Sequence, residues 1–176
     1  KDLVKLLKMF DLKSNEIESY ISRSEKKIVK LYNKKNNSFF NLDLKNKKKI
    51  TIPSITNYFI LFADLKDNKL NNNIIKNLKK HSYKEKYFFS SIKSNHRKFE
   101  EKRYWRGPVW INCNWIIYQG LKNKDNRFAN QIKKKTIDLV KQKGFNEYFS
   151  CKTGKGFGAT NFSWTASLFL DLILEN

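Results

Sequence analysis

Glu147 is the carboxylate whose surroundings stand out in this chain of 176 residues. It is flanked by Phe145, Tyr148 and Phe149, whereas most other acidic residues lie among lysines. A carboxylate among aromatic rings is a candidate for general acid-base catalysis. A loop glutamate that accepts hydrogen bonds from backbone amides would have the same local sequence. The residues around Glu147 alone therefore leave both interpretations open.

A second candidate group is the aromatic segment 104–110, which reads YWRGPVW. The rings of Tyr104, Trp105 and Trp110 can stack on the apolar face of a pyranose. Arg106 and nearby backbone amides can then bind the hydroxyl groups of the sugar. An ordinary aromatic core would have the same composition. The segment therefore indicates either a sugar-binding wall or a packed interior.

The glycine-rich segment 154–158, GKGFG, does not fit a phosphate-binding loop. Phe149 stands where such a loop requires its first glycine, and no predicted strand precedes it for a dinucleotide fold. We expect instead a turn that lets the backbone pass close to a ligand. Metal ligands are not indicated either, because His81 and His96 are isolated and the two cysteines lack metal-ligand spacing.

Three helices are predicted around these candidates. The most apolar helix begins at Pro108 and has apolar residues around nearly its whole circumference, so we expect it to be buried. The helix at residues 126–143 is amphipathic and should lie outside, with Gly144 ending it. A last apolar helix follows a loop at 145–162 and runs from Ser163 to Leu174, where it should again be buried. This alternation is typical of two concentric layers of helices rather than of a simple bundle.

Five further segments have the periodicity or capping residues of regular structure. They are a helix at 3–10, a helix from 14 to about 34, a short strand or extended loop at 40–44, and helices at 53–64 and 72–80. Asn15 and Glu18 are spaced as in a capping box. Residues 82–103 form a long polar connection, and such connections are often functional.

The composition limits the possible function classes. Apolar residues make up 40% of the chain and aromatic residues 15%, which indicates a folded body rather than a disordered polyelectrolyte. The net charge of +21 could serve a nucleic-acid partner, but lysine and asparagine are spread through nearly every polar stretch, so no specific nucleic acid is expected. Neither a membrane span nor a secretion signal is evident, and a cytoplasmic location is expected. Cys113 and Cys151 are predicted to be free thiols.

Taken jointly, four motifs resemble the C-terminal motifs of glycoside hydrolase family 63. They are YWRGPVWINCNW at 104–115, GFNEYF at 144–149, TGKGFG at 153–158 and FSWTA at 162–166. The likeness is closest to the mannosylglycerate hydrolase-like bacterial members, and it is looser over residues 1–100. It implies an all-α fold, a partial (α/α)6 toroid of inner and outer helices with long loops at the active-site end. It also implies an inverting glycosidase of carbohydrate metabolism that needs no metal or other cofactor.

The resemblance also implies roles for individual residues. Glu147 matches the general base of the family, which activates water. Tyr104, Trp105 and Trp110 match aromatic positions that line the sugar subsite, and Trp164 resembles another pocket residue. Arg106 and Gly107 shape the same helix entrance. The implied substrate is a small α-linked glycoside such as a glucosyl- or mannosyl-glycerate.

The general acid of the family has no counterpart here. In the family it is an aspartate in an aromatic segment well upstream, and none of Asp43, Asp64, Glu100 and Glu101 has such surroundings. The helical pattern is already under way at Lys1. We therefore interpret residues 1–176 as the C-terminal portion of one barrel domain whose remainder is supplied by a segment upstream of Lys1. The isolated fragment is expected to be inactive. The alternatives are a basic aromatic nucleic-acid-binding protein and a degenerate sugar-binding remnant.

Overall fold

The computed structural model describes residues 1–82 and 85–175, with the backbone alone described at 81 and 82. The side chain of His81 and residues 83–84 of the predicted connection thus lie outside the described residues. Most of the regular structure is helical. The helices are α1 (Asp2–Met9), α2 (Asn15–Val29), α3 (Asn68–Ser82), α4 (Ile111–Leu121), α5 (Asn126–Lys143) and α6 (Ser163–Leu174).

Short antiparallel hairpins and one 3₁₀ helix join the α-helices. The hairpins pair β1 (Tyr32–Asn33) with β2 (Ser38–Phe39), β3 (Asn41–Asp43) with β4 (Lys48–Ile50), and β5 (Tyr148–Phe149) with β6 (Gly156–Phe157). The segment predicted as a helix at 53–64 forms the 3₁₀ helix Ile55–Leu61 instead. None of the helices that the structure describes is long and apolar enough to cross a membrane.

Some predicted helix boundaries are wrong, each for a local reason. Helix α2 ends before position 34 because Tyr32 already pairs with Phe39 in the first hairpin. Its N-cap is Ser14, whose hydroxyl donates to Glu18, so the capping box predicted at Asn15 does not form. Helix α3 begins four residues earlier than predicted. The carboxylate of Asp67 accepts the backbone N–H of Leu70 at 2.9 Å, as an N-cap does.

Helix α4 begins at Ile111 rather than at Pro108 because the residues between them are extended. Val109 exchanges two backbone hydrogen bonds with Phe149, at 2.8 and 2.9 Å. Proline suits an extended segment as well as a first helical turn, so Pro108 could not distinguish the two. This pairing brings the aromatic segment 104–110 next to the strand that follows Glu147.

The predicted layering holds for α4 and α5. Helix α4 is buried on most sides, and it packs against α5, α6 and the 3₁₀ helix. Helix α5 has the predicted bounds and buries one face only, and the carboxylate of Asp125 accepts the N–H of Phe128 at its start. Gly144 ends α5 with a φ of 81°. The main core therefore lies around α4, between α3, α5 and the 3₁₀ helix.

Helix α6 has the predicted bounds, but within this chain it is not buried as expected. Thr165 and Leu172 are its buried residues, whereas Leu170, Ile173 and Leu174 are exposed. One face packs on α4 and α5, and the opposite face is apolar and open. An apolar face of this kind is typical of a surface that packs against another element.

Candidate active site

Glu147 lies at the open end of the β5–β6 hairpin and is held there through both its backbone and its side chain. Its N–H donates to the carbonyl oxygen of Ala159 at 2.9 Å. The N–H of Ala159 in turn donates to Oε2 of Glu147 at 3.1 Å. Because these two bonds join the same pair of residues, the backbone at the end of the hairpin fixes the orientation of the carboxylate.

The second carboxylate oxygen of Glu147 accepts a hydrogen bond from Tyr104, whose Oη lies 3.0 Å from Oε1. This bond is the main reason that the pKa of the Tyr104 phenol is raised above its ordinary value. Tyr104 also has a positive φ of 25°, which is uncommon for a residue other than glycine. Unusual backbone conformations of this kind concentrate at functional sites. The loop thus holds Tyr104 in an unfavourable conformation that places its hydroxyl on Glu147.

The aromatic segment forms a wall beside the carboxylate. The rings of Trp105 and Trp110 stack with centroids 4.4 Å apart and planes 11° from parallel. Tyr148 stacks on Trp110 at 5.1 Å, and Tyr104 meets Trp110 edge-on at 4.8 Å. Trp110 is buried, and its indole N–H donates to the carbonyl oxygen of Tyr104 at 3.0 Å. Trp105 is 43% exposed, so its ring faces solvent while it stacks on the buried ring of Trp110.

Glu147, Trp110 and Trp164 line one narrow crevice that is too small to enclose even a water molecule. Trp164 lies in the first turn of α6 and is exposed. The next residue, Thr165, donates its hydroxyl to the carbonyl oxygen of Asn146 at 2.8 Å, which ties α6 to the loop before the base. Pockets that enclose a ligand usually have volumes of about 300–1,000 Å³. The described residues therefore form one wall of a site rather than an enclosed pocket.

Arg106 and Gly107 contact residues 98–101 and so fix the loop that leads to Trp110. The guanidinium of Arg106 pairs with Glu100 at 2.7 Å and donates to the carbonyl oxygen of Lys98 at 3.2 Å. A Cβ on Gly107 would lie 2.8 Å from the Cα of Glu101, so the loop passes too closely for a side chain at this position. In this arrangement both residues shape the loop that carries Tyr104.

The other internal acids considered from the sequence are bonded elsewhere. Asp43 accepts hydrogen bonds from Lys45 and Asn46 in the β3–β4 turn, and Asp64 pairs with Lys124. Glu100 pairs with arginines, and Glu101 accepts the hydroxyl of Ser150. Glu147 is the one carboxylate among the described residues that line the crevice. No group of three or more histidine, cysteine or acidic side chains in the described part of the chain could hold a metal ion.

Sequence reasoning missed the role of the glycine loop in holding Glu147. Gly158 has a φ of 72°, and a Cβ there would lie 2.8 Å from the Cβ of Glu147 and collide with its carboxylate. The structure thus shows a close approach of this loop to the candidate base, and the predicted approach to a ligand stays a prediction. Ala159 was missed because it acts through its backbone, which no side-chain pattern reveals.

Comparison with known proteins gives a family for this arrangement. Residues 1–165 match the mannosylglycerate hydrolase MGH1-like glycoside hydrolase domain. The chain belongs to this family. The mannosylglycerate hydrolase of Thermus thermophilus is 30% identical over 171 residues, which cover 97% of this chain and 41% of the relative. A mannosylglycerate hydrolase of Rubrobacter radiotolerans is 28% identical over 183 residues, with 99% and 41% covered.

The fold of the MGH1-like family agrees with the helical layers described above. A crystal structure of the GH63 mannosylglycerate hydrolase from Thermus thermophilus in complex with glucose matches with a TM-score of 0.90 at 30% identity. The match covers 97% of this chain and 44% of that enzyme. The predicted membership of glycoside hydrolase family 63 and the predicted partial (α/α) toroid are therefore confirmed. The chain spans less than half the length of these relatives.

Proposed function

We propose that residues 1–176 form the C-terminal portion of the barrel domain of an inverting glycosidase, with Glu147 as its general base. The observation that carries this proposal is the fixed carboxylate. Glu147 is held by Tyr104 on one oxygen and by the N–H of Ala159 on the other, beside an aromatic wall. Two hydrogen bonds fix the orientation of the carboxylate, and a general base needs a fixed orientation to activate a single water molecule.

In the proposed reaction, Glu147 accepts a proton from water as the water oxygen attacks the anomeric carbon. The bond from that carbon to the leaving oxygen breaks, and a second carboxyl group on the other side protonates the leaving oxygen. In inverting enzymes the two carboxyl groups are about 6.5–9.5 Å apart. The nearest internal candidates are bonded elsewhere, so we assign the general acid to a part of the barrel outside these 176 residues; they are Asp43, Asp64, Glu100 and Glu101. The isolated chain is then inactive.

Trp105, Trp110 and Trp164 are proposed to line the sugar subsite, with Tyr104 holding the base at its edge. The exposed ring of Trp105 on the buried ring of Trp110 offers a stacking surface for the apolar face of a pyranose. The open side of the crevice is where the rest of the barrel would close the site. The exposed apolar face of α6 would pack there as an inner helix.

The proposed substrate is a small α-linked glycoside, with mannosylglycerate first because two relatives are named for its hydrolysis. Arg106 is a candidate to bind a negatively charged aglycone. Its guanidinium already pairs with Glu100, so this contact would require that pair to open. Arg106 and Gly107 are therefore assigned to the support of the loop. Acid-base hydrolysis of this kind requires no cofactor, and a cytoplasmic location is proposed for an enzyme of such small solutes.

The test is hydrolysis by the complete protein of mannosylglycerate and glucosylglycerate, followed by proton NMR of the released sugar. Inversion predicts that the β-anomer appears first and that the α-anomer grows later by mutarotation. Initial release of the α-anomer would contradict the inverting mechanism. Salt-dependent binding of single-stranded oligonucleotides without any hydrolysis would favour the nucleic-acid alternative. Sugar binding without turnover would indicate a degenerate remnant.

A further inference from the structure

Glu85 is a buried carboxylate that the proposed reaction does not use. It is 7% exposed, and its two oxygens accept the N–H of Ser90 at 2.7 Å and the hydroxyl of the same serine. Burial raises the pKa of Glu85, whereas these hydrogen bonds favour its ionised form. A buried acid that accepts two hydrogen bonds from one serine holds the segment that carries this serine.

The segment that Glu85 organises belongs to an irregular antiparallel ladder. Ser90 forms a bridge with Val109, and Val109 forms one with Phe149. Ser91 adds two bonds to the carbonyl oxygen of Pro108, from its N–H at 3.0 Å and from its hydroxyl at 2.6 Å. Three chain segments that are far apart in sequence thus lie side by side, with the 109 segment in the middle.

This ladder connects Glu85 to both halves of the candidate site. Val109 directly precedes Trp110, and Phe149 follows Glu147 by two residues. Val109, Phe149 and Ser90 are completely buried, so no solvent-filled space is available to absorb a shift of one strand. A displacement at Ser90 would therefore be passed to the strand that carries the aromatic wall and to the strand that carries the base.

We propose that Glu85 is a positioning residue that sets the placement of Glu147 relative to the aromatic wall by holding Ser90. This inference rests on the proposed function. An ionised carboxylate fits the task because it is an acceptor only, with about four lone-pair positions. A glutamine at this position would turn its N–H donors toward one of the two donors of Ser90. Part of the ladder would then lose its anchor while the side-chain volume stayed the same.

The test uses the complete protein with Glu85→Gln, Ser90→Ala and the double variant. A shift of about 1 Å at a reacting group can lower turnover by about 100-fold, so Glu85→Gln is expected to lower kcat by about 10- to 100-fold. KM should change by less, because the aromatic rings are retained. Ser90→Ala should lower kcat by a smaller factor, and the two effects should not multiply in the double variant. A kcat for folded Glu85→Gln within twofold of the wild type would overturn the proposal.

Asp125→Asn is the matched control, because Asp125 also binds a backbone N–H but lies at the start of α5, outside the ladder. It should lower Tm and leave kcat unchanged. If Glu85→Gln fails to fold, Ser90→Ala tests the positioning role instead, and an unchanged kcat in that variant contradicts the proposal. If the wild-type protein hydrolyses no glycoside, the proposed function fails separately. Near-ultraviolet circular dichroism of the stacked Trp105–Trp110 pair then tests the positioning role of Glu85 without an activity assay. Glu85→Gln should change that signal and Asp125→Asn should not, and an unchanged signal in Glu85→Gln contradicts the proposal.

Discussion

Substitution of Gly158 by alanine perturbs the candidate base through the backbone alone. Gly158 has a φ of 72°, and a Cβ there would collide with the carboxylate of Glu147 and lie 2.8 Å from its Cβ. The Cβ would also lie 2.8 Å from the ring of Tyr148. Gly158→Ala should therefore destabilise the hairpin and also push the carboxylate away from Tyr104 and Ala159.

The two effects have different magnitudes and different readouts. A left-handed backbone conformation in a residue other than glycine costs about 1–3 kcal/mol. In a unit of the size of these 176 residues that corresponds to a loss of roughly 2–12 °C in Tm, and the loss is smaller in the longer complete protein. Displacing the base by about 1 Å is expected to lower kcat by a further factor of about 100 in the protein that remains folded.

Gly144 provides a matched control for this prediction. It has a similar φ of 81°, but a Cβ there would meet nothing closer than the amide nitrogen of Asn146 at 4.0 Å. Gly144→Ala should lower Tm and largely retain kcat. The assay is thermal unfolding together with steady-state hydrolysis by the complete protein, normalised to the folded fraction. Equal kcat values for Gly158→Ala and Gly144→Ala would refute the reasoning that Gly158 is required for space beside the carboxylate.

Two further predictions concern side chains at and behind the site. Tyr104→Phe keeps the ring but removes the donor to Glu147, so kcat should fall about 3- to 10-fold, and an unchanged kcat would mean that this bond does not orient the base. Since that bond raises the pKa of Tyr104, it should persist throughout neutral pH and be lost only as the pH rises through the raised pKa above 10. An ultraviolet titration should then lose one tyrosine step that lies above 10 in Tyr104→Phe, while the steps of Tyr58 and Tyr118, whose pKa values burial raises to about 12, remain. Burial raises the pKa of Cys113 to about 12 and of Cys151 to about 11. Both free thiols should resist a thiol reagent at pH 8 in the native chain and react in denaturant, and fast reaction of the native chain would contradict their burial.

The sequence predicted the elements whose signals are local. Helices α5 and α6 have the predicted bounds because apolar periodicity, Gly144 and a polar start mark them within the segment itself. The start of α4 could not be predicted in the same way. Pro108 fits both a helix and an extended strand, and the pairing of Val109 with Phe149 joins residues forty positions apart. The burial of α6 was overestimated because its apolar face has no neighbour among the residues that the structure describes.

The side chains of the candidate site were predicted from the sequence, but the backbone groups that hold them were not. The crevice brings Glu147, Trp110 and Trp164 together, as their types and motifs suggested. The partners of the carboxylate were harder to predict from the sequence. Ala159 acts through its backbone N–H, which every residue except proline possesses. Glu85 lies among lysines in the sequence and has the pattern of a solvated residue, yet it is buried. Its proposed role depends on Ser90, which the loop brings to it.

The most direct test of the role of Glu147 is chemical rescue of Glu147→Ala in the complete protein. Without its base the variant should lose turnover by about 10²- to 10⁴-fold, while the aromatic wall still binds substrate. Azide can then attack the anomeric carbon from the vacated side as the general acid protonates the leaving oxygen. From an α-glycoside, the account predicts a β-glycosyl azide and restored release of the aglycone. Near-normal turnover of Glu147→Ala without azide would contradict the assignment of Glu147 as the base.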